Sequence, residues 1–166
     1  HMGEDMIIKQ LEMDPFDNFS YIVGCEQTRK ALVIDPGPDV DGIIVEADQA
    51  RLEIDTIINT HGHSDHTAGN APLKVRTDAR ILIHDLDANS VPLADLRLKD
   101  DSEIWVGAIS FYGIHTPGHS PGGICLYAQG NLFTGDTLFV GDSGRTDLAG
   151  SHRSTLGASI RRLMRL

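Results

Sequence analysis

Two cysteines, Cys25 and Cys125, are too few for a disulfide framework in a chain of 166 residues. Each sits in an apolar, strand-like run and reads as a small buried hydrophobe. Basic residues are also scarce: 14 Lys and Arg stand against 24 Asp and Glu, a formal charge of −10. That balance excludes a general nucleic-acid binder, which needs a basic face. No apolar run is long enough to span a bilayer, and no secretory hydrophobic region is present. Neither a nucleic-acid nor a membrane partner is therefore expected, and a reducing cytoplasm is the expected location. A Gly-x-Ser-x-Gly nucleophile elbow is absent too, and both cysteines lie in core strands, so no obvious nucleophile offers itself. With no internal repeat, low-complexity tract or linker, one domain over residues 7–166 is the simplest account. Residues 1–6 read as a lead-in, and His1 before Met2 as an expression remnant. What is present, 40% hydrophobic and 23% charged residues, suits a globular domain with a substantial core. Oligomeric state stays open.

Alternation and turn residues set out the elements. Ile7–Met13 and Phe19–Gly24 read as strands parted by the turn Asp14–Asp17. Ala31–Ile34 reads as a buried strand ending at Asp35-Pro36-Gly37. Asp39 suits the N-cap of a helix from Val40 to about Arg51, with Ile43, Ile44 and Ala47 at helical spacing. Thr56–Ile58 predicts a strand, followed by a helix from about Thr67 to Thr77. Ile81–Ile83 predicts a strand ending at His84, whereas Asp85–Lys99 has no clear period. Glu103–Val106 and Ile109–Ile114 flank Gly107, and Gly123–Tyr127 with Asn131–Phe133 make a hairpin around Gln129-Gly130. From about Arg153 an amphipathic helix is expected, with Leu156, Ile160, Leu163 and Met164 inward.

The densest chemistry is in Thr60-His61-Gly62-His63-Ser64-Asp65-His66, directly after an apolar run. Side chains alternate along an extended segment, so His61, His63 and Asp65 can share a side, and a turn lets His66 swing round. Imidazole nitrogens and carboxylate oxygens are the ligands that divalent first-row metals take. Without a cation such a cluster would have little reason to desolvate together. His119 sits in Thr116-Pro117-Gly118-His119-Ser120-Pro121-Gly122, a loop suited to aiming one imidazole. Asp136 lies among apolar neighbours in Phe133–Phe139, where a carboxylate is unusual unless paired or metal-bound. All these groups follow hydrophobic strands, which would set them on one rim of a sheet. Asp35 reads equally as a second-shell partner of a ligating histidine or as a turn-forming residue. His84 reads as a surface or supporting residue, His115 as structural and His152 as surface. Arg145 and Asp147 read as an ion pair shaping the rim, with Arg145 meeting an anionic substrate as the alternative.

The joint pattern His61-x-His63-x-Asp65-His66, His115-Thr116-Pro117-Gly118-His119-Ser120-Pro121-Gly122 and Thr134-Gly135-Asp136-Thr137-Leu138-Phe139 resembles the metallo-β-lactamase superfamily. Within it, the chain is similar to the glyoxalase II branch, the hydroxyacylglutathione hydrolases, and Gly144–Leu148 extends the match. The resemblance implies an α+β fold, a four-layer αββα sandwich, C-terminally shortened. It implies one or two divalent ions, zinc first, with iron or manganese also fitting the ligands. His61, His63 and His119 would hold the first ion. Asp65 and His66 would hold the second, and Asp136 would bridge them. The family's further Pro-Gly-His histidine has no counterpart here, so the second site is expected to be weak or empty.

The implied activity is hydrolysis of a small acyl thioester, glutathione-derived by resemblance. A cation lowers the pKa of water from ~16 to ~7, so hydroxide is available at working pH. Asp65 is the candidate catalytic residue, orienting the attacking oxygen. Two alternatives stand beside this. One is a mononuclear iron persulfide dioxygenase, held by the equivalents of His61, His119 and Asp136. The other is a metal-binding domain with impaired catalysis.

Overall fold

The structure, a computed structural model, describes residues 6–13, 18–99, 102–115, 123–134 and 138–140, with residues 18, 65 and 138–140 described by backbone alone. The first sheet begins with an antiparallel hairpin, β1 (Met6–Met13) and β2 (Asn18–Cys25), and β3 (Lys30–Ile34) runs antiparallel to β2. From β3 onward the sheet is parallel: β4 (Glu53–Ile58), β5 (Arg80–His84) and β6 (Leu96–Leu98) join in that order. Parallel neighbours need crossovers. These are α1 (Val40–Gln49), the pair α2 (Ser64–Thr67) and α3 (Asn70–Thr77), and a 3-10 helix (Asp85–Ser90). The second sheet is antiparallel, in the order β11 (Leu138–Val140), β10 (Asn131–Phe133), β9 (Ile124–Ala128), β8 (Ile109–His115), β7 (Ser102–Val106).

Period-two alternation explains the layering. On β3, Ala31 and Val33 face the helices, packing with Val40, Ile43 and Leu73. Leu32 and Ile34 face the second sheet, packing with Phe111, Leu126 and Phe133. Ile57 and Ile58 of β4, and Ile81 and Leu82 of β5, divide the same way. Tyr21 and Phe133 meet edge to face across the intersheet core, with ring centroids 5.6 Å apart. The fold is thus an α+β sandwich of two facing sheets, with α1 and α3 on the outer face of the first.

Local signals account for most boundaries. Asp39 caps α1, its carboxylate accepting from the amide of Gly42. The helix ends at Gln49, two residues before the expected end. The expected helix from Thr67 to Thr77 is two helices, broken at Ala68-Gly69. There the amide of Gly69 donates to the carbonyl of Pro36, and a Cβ on Gly69 would run into the Gly37 carbonyl oxygen. Gln129 and Gly130 both have positive φ (48° and 81°), the geometry of a tight hairpin between β9 and β10. Cys25 and Cys125 are buried, as the sequence suggests. Burial pushes the Cys25 thiol up, but hydrogen bonds from Thr28 and the amide of Ala108 outweigh it and hold it below its ordinary value. The expected turn at Asp14–Asp17, the helix expected from about Arg153, and His152, Arg145 and Asp147 lie outside the described residues.

Asp95, just before β6, pins that strand to β5. Its carboxylate accepts from Lys74 Nζ at 2.7 Å and from the Ile81 amide at 2.8 Å. The Lys74 hydrogen bond and then the Ile81 amide hold its pKa below the usual carboxylate value. A carboxyl whose pKa is lower when folded stabilises the fold above its unfolded value of about 3.9, and loses that contribution as pH falls through the folded value. Asp95 is partly exposed, so screening keeps the contribution to ~1 kcal/mol or less. Asp95→Asn should therefore lower the urea midpoint at pH 7, with the difference closing as pH falls through the folded carboxyl's lowered value. An unchanged difference in acid would refute the assignment.

Candidate metal centre

The parallel run β3, β4, β5 sends three chain segments out at the same rim. Asp35 follows β3, residues 59–66 follow β4, and His84 ends β5. The second sheet closes on this rim, where the amide of Ile124 donates to the Thr60 carbonyl at 2.8 Å.

Asp35 is the organising group. It is fully buried and holds a left-handed backbone, φ 52°, which Asp tolerates better than most residues. Its Oδ1 accepts from the Thr60 amide at 2.7 Å. Its Oδ2 accepts from Thr60 Oγ1 at 2.6 Å and from His66 Nδ1 at 2.9 Å. The Asp35 carbonyl accepts from Ser20 Oγ, which in turn accepts from the Gly37 amide. A buried carboxylate needs such partners.

This network fixes two imidazoles. His66 gives its Nδ1 proton to Asp35, so its lone pair is on Nε2. Thr60 Oγ1 spends its proton on Asp35 and so accepts from His61 Nδ1, 3.1 Å away, which puts the His61 lone pair on Nε2 as well. His61 and His66 are buried and His63 is exposed. The His61 ring centroid lies 4.0 Å from that of His66 and 4.6 Å from that of His63. Backbone support comes from Asn59, whose amide donates to the His66 carbonyl at 3.1 Å and pairs reciprocally with Asn70.

One atom each from Asp35, His61 and His66 lies within 4.8 Å of the others, a spacing that a cation could span. The Asp35 oxygens already accept three hydrogen bonds, so Asp35 suits the role of orienting a ligand rather than ligating. The donor set fits a divalent transition metal, because His61 and His66 present Nε2 lone pairs while their Nδ1 protons are engaged.

Of the six expected ligands, the structure brings His61, His63 and His66 together. Asp65 lies in α2, described by backbone alone; His119 and Asp136 lie outside the described residues. Between the two readings of Asp35, its bond to His66 Nδ1 supports the one in which it orients a histidine of the site. His84 is not a surface residue: it is buried, its Nδ1 accepts from the Leu86 amide, and its ring stacks on His115 at 4.1 Å. Thr60, Asn59 and Asn70 were not singled out from sequence, nor was Asp87, whose Oδ2 accepts from the Gly62 amide. Thr60 stands in the histidine motif, the one signal that could have found it.

Residues 13–166 match the family described as the metallo-beta-lactamase superfamily. The chain belongs to that superfamily. Within it, its relatives put it in the glyoxalase II-like branch. It is 35% identical over 144 residues to a hydroxyacylglutathione hydrolase of Nitrosococcus oceani, covering 84% of this chain and 54% of that protein. It is 32% identical to an uncharacterized protein of Aquifex aeolicus, covering 96% of this chain and 83% of that one. The chain spans about half the length of the hydroxyacylglutathione hydrolases it matches. Among solved structures it is similar to ETHE1 from Myxococcus xanthus (TM-score 0.77, 31% identity, covering 95% and 69% of the two chains). It is also similar to TTHA1623 in a di-iron-bound form (TM-score 0.69, 30% identity, covering 95% and 86%).

Thr60→Val keeps the shape but removes the hydroxyl between Asp35 and His61. It should cost about 1–3 kcal/mol by denaturant unfolding, because a buried acceptor loses a donor. A cost under ~0.5 kcal/mol would show that the hydroxyl does not support the network.

Proposed function

We propose that this protein is a metal-dependent hydrolase of small acyl thioesters, hydroxyacylglutathione hydrolase-like. The observation carrying this reading is the convergence of His61, His63 and His66, with Nδ1 of His61 and of His66 engaged by the Asp35–Thr60 network. In the proposed site His61, His63 and His119 would hold one divalent ion, Asp65 and His66 would serve a second, and Asp136 would be shared between them. Zinc is the first candidate, and the likeness to a di-iron protein supports iron as well. A bound cation supplies Lewis acidity and makes hydroxide available near neutral pH.

The chain's own residues do the rest. Asp35 and Thr60 hold the imidazoles of His61 and His66 through their Nδ1 atoms, which leaves both Nε2 atoms aimed for ligation with little reorganisation. Asp65 is proposed to orient the attacking oxygen. A thiolate leaves without strong assistance, so a dedicated general acid is not required. A free hydroxyacylglutathione is the substrate class that the Nitrosococcus relative's name supports. The oxidative alternative, an iron persulfide dioxygenase, is supported by the likeness to ETHE1.

The test is metal content by elemental analysis, then thiol release from a thioester panel that includes S-lactoylglutathione. The metal-loaded protein is expected to exceed a His61→Ala control by about a hundredfold or more, the scale lost with essential electrostatic stabilisation. Turnover no better than that control across the panel rejects the hydrolase reading. Oxygen uptake with glutathione persulfide by an iron-loaded sample would favour the oxidative one.

A further inference from the structure

Asp87 is a buried carboxylate that the proposed chemistry does not use. It is 6% exposed, in a 3-10 helix whose Asp85, Leu86, Asn89 and Ser90 face solvent. Asp is seldom buried without a specific partner. Here Oδ2 accepts from the amide of Gly62, the N–H of the His61–Gly62 peptide, at 2.8 Å. We propose that Asp87 is a positioning residue that fixes the backbone from which His61 and His63 depart, a proposal that rests on the metal reading above.

Three observations converge on it. First, the helix lies tight against the histidine segment. A Cβ on Gly62 would lie 2.7 Å from Ser90 Cβ and 3.1 Å from Ser90 Oγ, so a larger residue there collides with the Ser90 side chain. Second, the Gly62 amide lies beyond the end of β4, outside the sheet's ladder, and receives a charge-assisted acceptor. Third, the helix is itself anchored. His84 Nδ1 accepts from the Leu86 amide at 3.0 Å, and the His84 ring stacks on His115 with planes 15° apart. His115 ends β8, four residues before His119 in sequence. The 3-10 helix therefore ties the His61–His63 segment to the end of β8, the strand from which the chain runs on to His119.

The test uses cobalt as the probe on the full chain, with affinity read by chelator competition and geometry by the visible spectrum. Asp87→Ala is expected to weaken cobalt binding by at least about tenfold and to alter the spectrum, as loss of an outer-shell partner does. Asp87→Asn keeps an oxygen that can accept from Gly62, and should recover both readouts to within about threefold. Gly62→Ala should mimic Asp87→Ala. Adding Ser90→Gly, which clears the collision, should restore most of the loss, and this pair decides the matter even if Asp87→Ala does not fold. The proposal is overturned if Asp87→Ala and Gly62→Ala each bind cobalt within about twofold of wild type with unchanged spectra, or if neither rescue restores binding. Failure of the wild-type chain to bind cobalt or zinc at all defeats the metal reading itself.

Discussion

A buried negative charge on Asp35 is the constraint around which the rim is built. Desolvating a carboxylate is costly unless hydrogen bonds replace water. Asp35 gets them from residues far apart in sequence: Thr60 after β4 and His66 in α2 reach the carboxylate, and Ser20 on β2 reaches the carbonyl. The left-handed backbone at Asp35 is held in place by these same contacts. Losing Thr60 or His66 would leave the buried carboxylate short of donors, so these partners are held as a set.

Sheet topology turns that set into a site. Parallel strands put their carboxyl ends on one side, which is why Asp35, the histidine segment and His84 share a rim. A helical crossover follows each of β3, β4 and β5, and two of these crossovers contribute polar groups to the rim: α2 carries His66 and the 3-10 helix carries Asp87. The antiparallel sheet brings the end of β8 and the start of β9 against the same rim, through the His115 ring and the Ile124 amide. Both sheets therefore contribute rigid walls, and the functional side chains sit on short segments between them.

Much of this was legible in the sequence. Strands with full alternation, such as β2 and β3, and the Asp39 cap carry strong local signals, and the spacing of His61, His63 and His66 carried the chemistry. What escaped reading did so for physical reasons. A 3-10 helix of one or two turns has no 3.6-residue period, so Asp85–Ser90 offered none. β6 and β11 are three residues long and too short to alternate. The break between α2 and α3 is set by the approach of Gly69 to Pro36 and Gly37, a tertiary contact invisible along the chain. Asp87 looks like any surface acid in Asp85-Leu86-Asp87, and only the fold shows that it turns inward. Asp35 stood between two readings because its decisive partner, His66, is thirty-one positions away.

The bond from Ser20 to Asp35 reaches beyond the rim. Ser20 belongs to the N-terminal hairpin, on the far side of β3 from the histidine segment. An ion clasped by the imidazoles would thereby draw on the ordering of β1 and β2, because Ser20 ties the hairpin to the acid that holds His66 and Thr60. Binding free energy at the rim would then add to the stability of strands that never touch the ion. Amide hydrogens in that hairpin, slow to exchange with solvent deuterium when the ion is in place, would exchange faster once a chelator strips it.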